Sequence, residues 1–64
     1  MSDGTVRADL RSGIRVLIVL KADQASGKLT KGVVKDILTN ASRHPRGIKV
    51  RLENGLVGRV RKVL

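Results

Sequence analysis

A hairpin signature near the C-terminal end is the feature that most constrains the fold of this chain. Apolar and charged residues alternate strictly from Ile48 to Glu53, and this period of two is typical of a strand with one buried face. Asn54-Gly55 follows, a dipeptide that favours tight hairpin turns, and Leu56 to Val63 forms the returning strand. The chain is therefore predicted to contain short antiparallel strands.

The register of this hairpin follows from the requirement that cations stay out of the core. A two-residue loop of Asn54-Gly55 would set Val50 opposite Arg59 and so place a cation against the core, which is costly. A three-residue loop over 53–55, with the glycine in the left-handed conformation, removes this conflict. The inward pairs are then Leu52–Leu56, Val50–Gly58 and Ile48–Val60, and the outward pairs are Arg51–Val57 and Lys49–Arg59.

Two further strands are predicted upstream of the hairpin. Ile14 to Leu20 is apolar at nearly every position, which suits a strand covered on both sides where it bends around a small barrel. Gly32 to Leu38 contains apolar pairs that break strict alternation, which predicts a β-bulge or a sharp bend, with a one-turn helix as the alternative. The polar segments 21–31 and 39–46 are predicted to be loops, and Pro45 argues against a central strand in the second.

These elements predict one all-β domain, a small SH3-like (or OB-like) barrel of four to five short antiparallel strands over residues 10–64. The chain has 64 residues and no cysteine, so its stability must come from aliphatic packing rather than from disulfides. Residues 1–9 show no hydrophobic period and are predicted to be a flexible N-terminal tail. We expect a monomer.

Positive charge is concentrated in the predicted barrel. The formal net charge is +9, with −1 in residues 1–9 and +10 in residues 10–64. Such a charge density attracts phosphate polymers. The longest apolar run, Val16 to Leu20, is far shorter than the roughly 20 residues of a membrane span, and no secretory signal is recognised. A cytoplasmic location without a membrane partner is therefore expected.

The predicted binding surface is the outer face of the hairpin together with the loop before it. Its candidate residues are Lys49, Arg51, Arg59, Arg61, Arg43, His44 and Arg46. Like charges directly opposite each other destabilise a sheet, so the tolerance of Lys49 opposite Arg59 indicates that both are used. Chance placement of cations on a solvated face is the alternative. For His44, beside Pro45, a role in turn geometry and a phosphate or base contact both stay open.

No catalytic, cofactor or metal site is predicted. His44 has no cysteine to activate, and Asp23 and Asp36 are isolated carboxylates, each expected to satisfy a loop amide or to pair with a lysine. The chain contains no Phe, Tyr or Trp, the residues on which single-strand binders usually stack bases. Phosphate contacts are therefore expected to carry the affinity, with weak sequence preference and strong salt dependence.

Residues 10–64 resemble the YwbE-like family of small uncharacterised prokaryotic proteins. The matching segments are Leu10-Arg11-Ser12-Gly13, Val19-Leu20-Lys21, Asp23-Gln24, Ser26-Gly27, Leu29-Thr30, Gly32, Asp36-Ile37-Leu38-Thr39, His44-Pro45, Gly47 to Leu52 and Gly55 to Val60. This resemblance covers nearly the whole predicted domain and implies no particular activity.

A looser resemblance is to KOW-type modules with an SH3-like barrel, found in ribosomal proteins and transcription factors. It is carried by Gly13, Val16, Ile18, Gly27, Gly32 and Val34. The chain departs from that pattern in the loop after Leu20, which is longer and more polar than usual. The resemblance implies RNA or a ribosome-like partner.

Together these observations predict a non-enzymatic nucleic-acid-binding module that acts through a basic face with weak sequence specificity, and the resemblance to KOW-type modules implies a preference for RNA over DNA. The alternative is a protein-interaction module that docks an acidic partner in the translation or transcription machinery. Both functions would use the same basic face.

Overall fold

Four β-strands form the framework of the computed structural model, which describes residues 3–64. The strands are β1 (Arg15–Leu20), β2 (Thr30–Ile37), β3 (Lys49–Leu52) and β4 (Val57–Val63), and two three-residue 3-10 helices, Arg7–Asp9 and Lys21–Asp23, complete the regular structure of this part of the chain. Each strand pairs antiparallel with the next, and β4 pairs with β1, so the sheet closes into a barrel. The all-β prediction is confirmed, and four closed strands fit a small SH3-like barrel.

The core is filled by aliphatic side chains that alternate along the strands. The fully buried side chains are Val16, Ile18, Val34, Ile48, Val50, Leu52 and Val60. Each contributes about 1.5–3 kcal/mol relative to exposure to water. No charged side chain of residues 3–64 is buried, because the period of two that turns these residues inward turns their charged neighbours outward.

Strand β2 extends further than its apolar pattern predicts. It begins at Thr30, because Thr30 and Lys31 continue the pairing with Ile18 and Leu17 of β1. Backbone pairing of this kind needs no apolar side chain. The predicted bulge is confirmed, since the register between β2 and β3 shifts between Val34 and Asp36. The alternative of a one-turn helix does not occur there.

The N-terminal segment differs from the flexible tail that the sequence predicts for residues 1–9. The carbonyl oxygen of Gly4 accepts a hydrogen bond from the Ile48 N–H (2.8 Å), and that of Thr5 accepts one from the His44 N–H (2.9 Å). Val6 forms an antiparallel bridge with Arg43. Residues 3–9 thus lie along the loop before β3, and the tail prediction is corrected for them. Residues 1–2 are outside the described part of the chain.

A close approach of backbones holds this segment in place. Gly4 is buried with φ of +82°, and a Cβ at this position would overlap the side chain of Val60. Leu10, at the end of the segment, is 5% exposed and belongs to the core cluster. A glycine contact and backbone hydrogen bonds produce no hydrophobic period, which explains why the sequence pattern does not show the attachment.

Candidate functional site

The β3–β4 hairpin has the register predicted from its sequence. Leu52 N–H donates to the carbonyl oxygen of Leu56 (2.8 Å), and Gly55 N–H donates to that of Leu52 (2.9 Å). Gly55 has φ of +90°, a conformation that glycine adopts without steric cost. The three-residue loop is confirmed, and it turns Lys49 and Arg59 to the outside as directly opposed neighbours.

A row of three outward residues crosses the barrel at this level. Lys49 of β3 lies opposite Arg59 of β4, and Arg59 lies opposite Val19 of β1. Arg59 is half-buried, and its Nη1 donates a hydrogen bond to the carbonyl oxygen of Gly47 (3.1 Å). This bond fixes one end of the guanidinium group, so the side chain is positioned by the protein's own backbone.

Val19 supplies an apolar floor on the outer surface. It is only 5% exposed, yet it is not a member of the core cluster. Its neighbours Ile18 and Leu20 turn toward the core, so Val19 faces the opposite side of the sheet. The prediction that β1 is covered on both sides is confirmed at this residue.

Arg51 is partnered within the protein. It lies opposite Asp36 of β2, and its Nη1 is 3.2 Å from the Asp36 Oδ2, with both side chains about half exposed. Such a surface ion pair contributes about 0–1 kcal/mol. Asp36 was expected to satisfy a loop amide or to pair with a lysine, and it pairs with an arginine. Arg51 therefore brings less unbalanced charge to the outer face than Lys49 or Arg59.

Arg61 lies at a bulge in β4 and lines a cleft. Its neighbours Val60 and Lys62 pair with Ile18 and Leu17, and the register shifts between them. The cleft has a volume of about 290 Å³, and we call it the arginine cleft. It is lined by Val19, Gln24, Gly27, Leu29, Arg46, Arg59 and Arg61.

A second cleft of about 430 Å³ adjoins the first and is called the lysine cleft. It is lined by Val19, Lys21, Gln24, Lys49, Val57, Gly58 and Arg59. The two clefts share Val19, Gln24 and Arg59, so they form one continuous basic groove. Five cations line it, namely Lys21, Arg46, Lys49, Arg59 and Arg61, and its lining contains no carboxylate.

A basic row continues the groove along β1. Leu17, two residues before Val19, lies between Lys31 of β2 and Lys62 of β4. Leu17 is half-buried and both lysines are exposed. Positive charge therefore extends beyond the groove on the same outer face.

Arg43 and His44 lie outside the lining of both clefts. Arg43 bridges to Val6 in the N-terminal segment. His44 is half-buried, and its Nδ1 accepts a hydrogen bond from the Arg46 N–H (3.1 Å). The imidazole thus supports the turn that carries Arg46, which is the turn-geometry role left open by the sequence. Three basic residues of this loop were predicted to bind, namely Arg43, His44 and Arg46. Only Arg46 lines the groove.

The carboxylate of Asp3 accepts two hydrogen bonds from Thr5. The Thr5 hydroxyl donates to Asp3 Oδ1 at 2.7 Å, and the Thr5 N–H donates to the same atom at 3.0 Å. These bonds favour the charged form, so the pKa of Asp3 lies below its ordinary value of 3.8, with a small further contribution from Arg43. Asp3 does not line either cleft.

The loop after β1 contributes to the groove, although its sequence pattern did not indicate this. The groove is lined by three of its residues, Lys21, Gln24 and Leu29. From the sequence, this segment was predicted only to be a polar loop. Its place is set by the closure of β1 on β4, which brings it beside residues some 30 positions later in the chain. The spacing of residues within the loop does not predict that contact.

Among residues 3–64, no three His, Cys, Asp or Glu side chains cluster in a way that could hold a metal ion. Within the same residues, no helix has the length and apolarity needed to cross a bilayer.

Comparison with known proteins identifies the relatives of this chain. The family described as "Uncharacterized conserved protein (DUF2196)" matches residues 3–63. The "Uncharacterized protein YwbE" of Bacillus subtilis (strain 168) is 55% identical over 62 residues, which are 97% of this chain and 95% of that protein. No solved structure matches significantly. Because the match extends over nearly the whole length of both chains, this protein belongs to the YwbE-like DUF2196 family.

Proposed function

We propose that the protein is a non-enzymatic nucleic-acid-binding module of the cytoplasm, which binds RNA through the basic groove with weak sequence specificity. The observation that carries this proposal is the direct opposition of Lys49 and Arg59 inside a groove whose lining has five cations and no carboxylate.

The charge arrangement favours a polyanion as the ligand. Opposed like charges destabilise a sheet by a few tenths of a kcal/mol, about the size of other cross-strand pair effects. A phosphate between Lys49 and Arg59 would turn that repulsion into two attractions. Arg59, held by Gly47, is also preorganised, so less side-chain entropy is lost on binding. Neighbouring Lys31 and Lys62 extend the same field along β1.

Weak sequence specificity follows from the residues available. Contacts from lysine and arginine to phosphate hold a nucleic acid in position, but they do not distinguish one base from another. Within the groove lining, Gln24 is the one uncharged side chain with hydrogen-bonding groups. The preference for RNA over DNA rests on the resemblance to KOW-type SH3-like modules.

Salt dependence of binding tests the proposal. We expect a fluorescein-labelled RNA oligonucleotide to bind with an affinity that falls steeply with salt, with a log–log slope of about −2 to −3.5 for three to five phosphate contacts. The double variant Lys49→Gln/Arg61→Gln removes two groove cations and should weaken binding about tenfold or more. The matched control Arg11→Gln/Lys35→Gln removes two exposed cations outside the groove and should weaken it far less.

Two outcomes would overturn the proposal. Absence of binding at low salt would exclude a nucleic-acid module, and equal losses in both double variants would assign binding to net charge rather than to the groove. Polyglutamate of similar charge serves as the comparison ligand. If it binds as tightly as RNA, the alternative of an acidic protein partner is favoured.

A further inference from the structure

We propose that the arginine cleft is a nucleotide subsite, which holds one unpaired nucleotide with its phosphate on the arginines and its base against an apolar wall. This inference rests on the proposed function of the basic groove and deepens it, because it selects single strands over duplexes.

Three arginines line the cleft, namely Arg46, Arg59 and Arg61. Arg59 is anchored to Gly47 through one Nη1 hydrogen bond. The backbone N–H of Arg46 is held by His44, and Arg61 lies at the bulge in β4. None of the three pairs with a carboxylate among residues 3–64. Each guanidinium group can contact a phosphate in a bidentate manner, so the cleft suits a group with a full phosphate charge.

Two apolar side chains also line the cleft and offer nothing to a phosphate. They are Val19, which is 5% exposed, and Leu29, which is 44% exposed. A duplex presents sugars and phosphates to a surface and keeps its base faces stacked inside. An unpaired nucleotide presents one base face together with its phosphate, which is the combination of surfaces that the cleft complements.

Gln24 supplies a polar edge between the two clefts. Its side chain lines both clefts, is exposed, and makes no hydrogen bond with the described residues. A carboxamide carries both a donor and an acceptor, so it can pair with the edge of a base that lies on Val19 and Leu29. The cleft volume of about 290 Å³ lies at the small end of ligand pockets, about 300–1,000 Å³, which is consistent with one nucleotide rather than several.

The test separates base contact from phosphate contact with a matched pair of leucine variants. Leu29→Ser removes the apolar wall, and Leu56→Ser removes a leucine of similar exposure, 39%, that lies in the hairpin outside both clefts. Affinities are measured for a single-stranded RNA and for an RNA duplex with the same number of phosphates. Thermal unfolding of each variant checks that the fold is retained.

We expect Leu29→Ser to weaken single-strand binding about threefold to tenfold, the range that burial of part of one leucine side chain allows, and to leave duplex binding unchanged. Leu56→Ser should change neither. Equal effects of Leu29→Ser on both ligands, or none on either, would overturn the subsite while leaving the proposed function in place. Failure of the wild-type protein to bind either ligand would overturn the proposed function itself.

A second measurement examines the subsite directly in the unaltered protein. In a methyl NMR titration, a nucleoside 5′-monophosphate should shift the Val19 and Leu29 methyl resonances, whereas inorganic phosphate should leave those resonances in place. Identical methyl shifts with the two ligands would exclude a base on the apolar wall. So would the absence of any methyl shift at a nucleotide concentration that saturates the binding sites for single-stranded RNA.

Discussion

Lys49 lies directly opposite Arg59 across the β3–β4 pair, so two cations are neighbours on the outer face of the barrel. Two residues further along β3, Arg51 lies opposite Asp36 of β2 and forms an ion pair with it at 3.2 Å. Strand β3 thus takes part in a repulsive cross-strand pair with β4 and an attractive one with β2, and these can be altered separately.

Lys49→Glu should increase stability and weaken binding at the same time. A carboxylate opposite Arg59 replaces repulsion with attraction, which is worth about 0.2–1 kcal/mol, while the groove loses a cation and gains an anion. We expect a higher free energy of unfolding in urea and a loss of RNA affinity of about tenfold or more.

The matched variant is Arg51→Glu, which breaks the ion pair and sets a second carboxylate beside Asp36. It should lower stability by about 0.2–1 kcal/mol and reduce RNA affinity less than Lys49→Glu does. A Lys49→Glu protein that is less stable than wild type, or that binds RNA normally, would contradict the prediction. It would show that the Lys49–Arg59 repulsion does not lower stability in exchange for RNA affinity.

Gly4→Ala should be strongly destabilising because both the backbone conformation and the space at this position require glycine. Its φ of +82° disfavours a side chain, and a Cβ would also overlap Val60. Gly13→Ala is the control, since Gly13 has φ of +95° but nothing within 4 Å of a Cβ. We expect a loss of about 1–3 kcal/mol for Gly13→Ala from backbone strain alone and a larger loss for Gly4→Ala, as measured by urea unfolding. Similar losses would mean that the segment moves away from Val60 at little cost.

Removal of residues 1–8 should destabilise the barrel. The deletion takes away the Gly4 carbonyl that accepts from the Ile48 N–H and the Thr5 carbonyl that accepts from the His44 N–H. A buried donor left without a partner costs about 1–3 kcal/mol, and Ile48 is fully buried. Reduced protection of the Ile48 amide in hydrogen exchange would confirm the expectation. Unchanged stability and protection would restore the view of this segment as a dispensable tail.

Protonation of Asp3 should reduce stability at acid pH. Because Thr5 lowers the pKa of Asp3 in the folded protein, its contribution to stability is present above the pKa of the unfolded chain and is lost as the pH falls through the lower folded pKa. Asp3→Asn should therefore reduce stability near neutral pH and have a smaller effect at about pH 2. Asp9→Asn is the control, because the Asp9 side chain makes no hydrogen bond or ion pair with the described residues. An Asp3→Asn effect that does not change with pH would contradict this assignment.

Short-range features of the sequence were sufficient to predict the hairpin and the fold class. Alternation from Ile48 to Glu53, followed by Asn54-Gly55, led to one register that keeps cations out of the core, and the structure has that register. Residues close in sequence were involved, so turn geometry and side-chain period left few alternatives. The opposition of Lys49 and Arg59 is thus a property that the sequence by itself determined.

The groove and the N-terminal attachment were decided only by the tertiary structure. Closure of β1 on β4 sets Val19 and the loop with Gln24 and Leu29 beside Arg59, and β2 brings Asp36 to Arg51. Gly4 and Thr5 attach through backbone carbonyls. These long-range contacts depend largely on backbone hydrogen-bonding groups, which every residue except proline has in full. A sequence pattern describes only side chains. The pattern therefore identified the cations but could not predict how they are arranged.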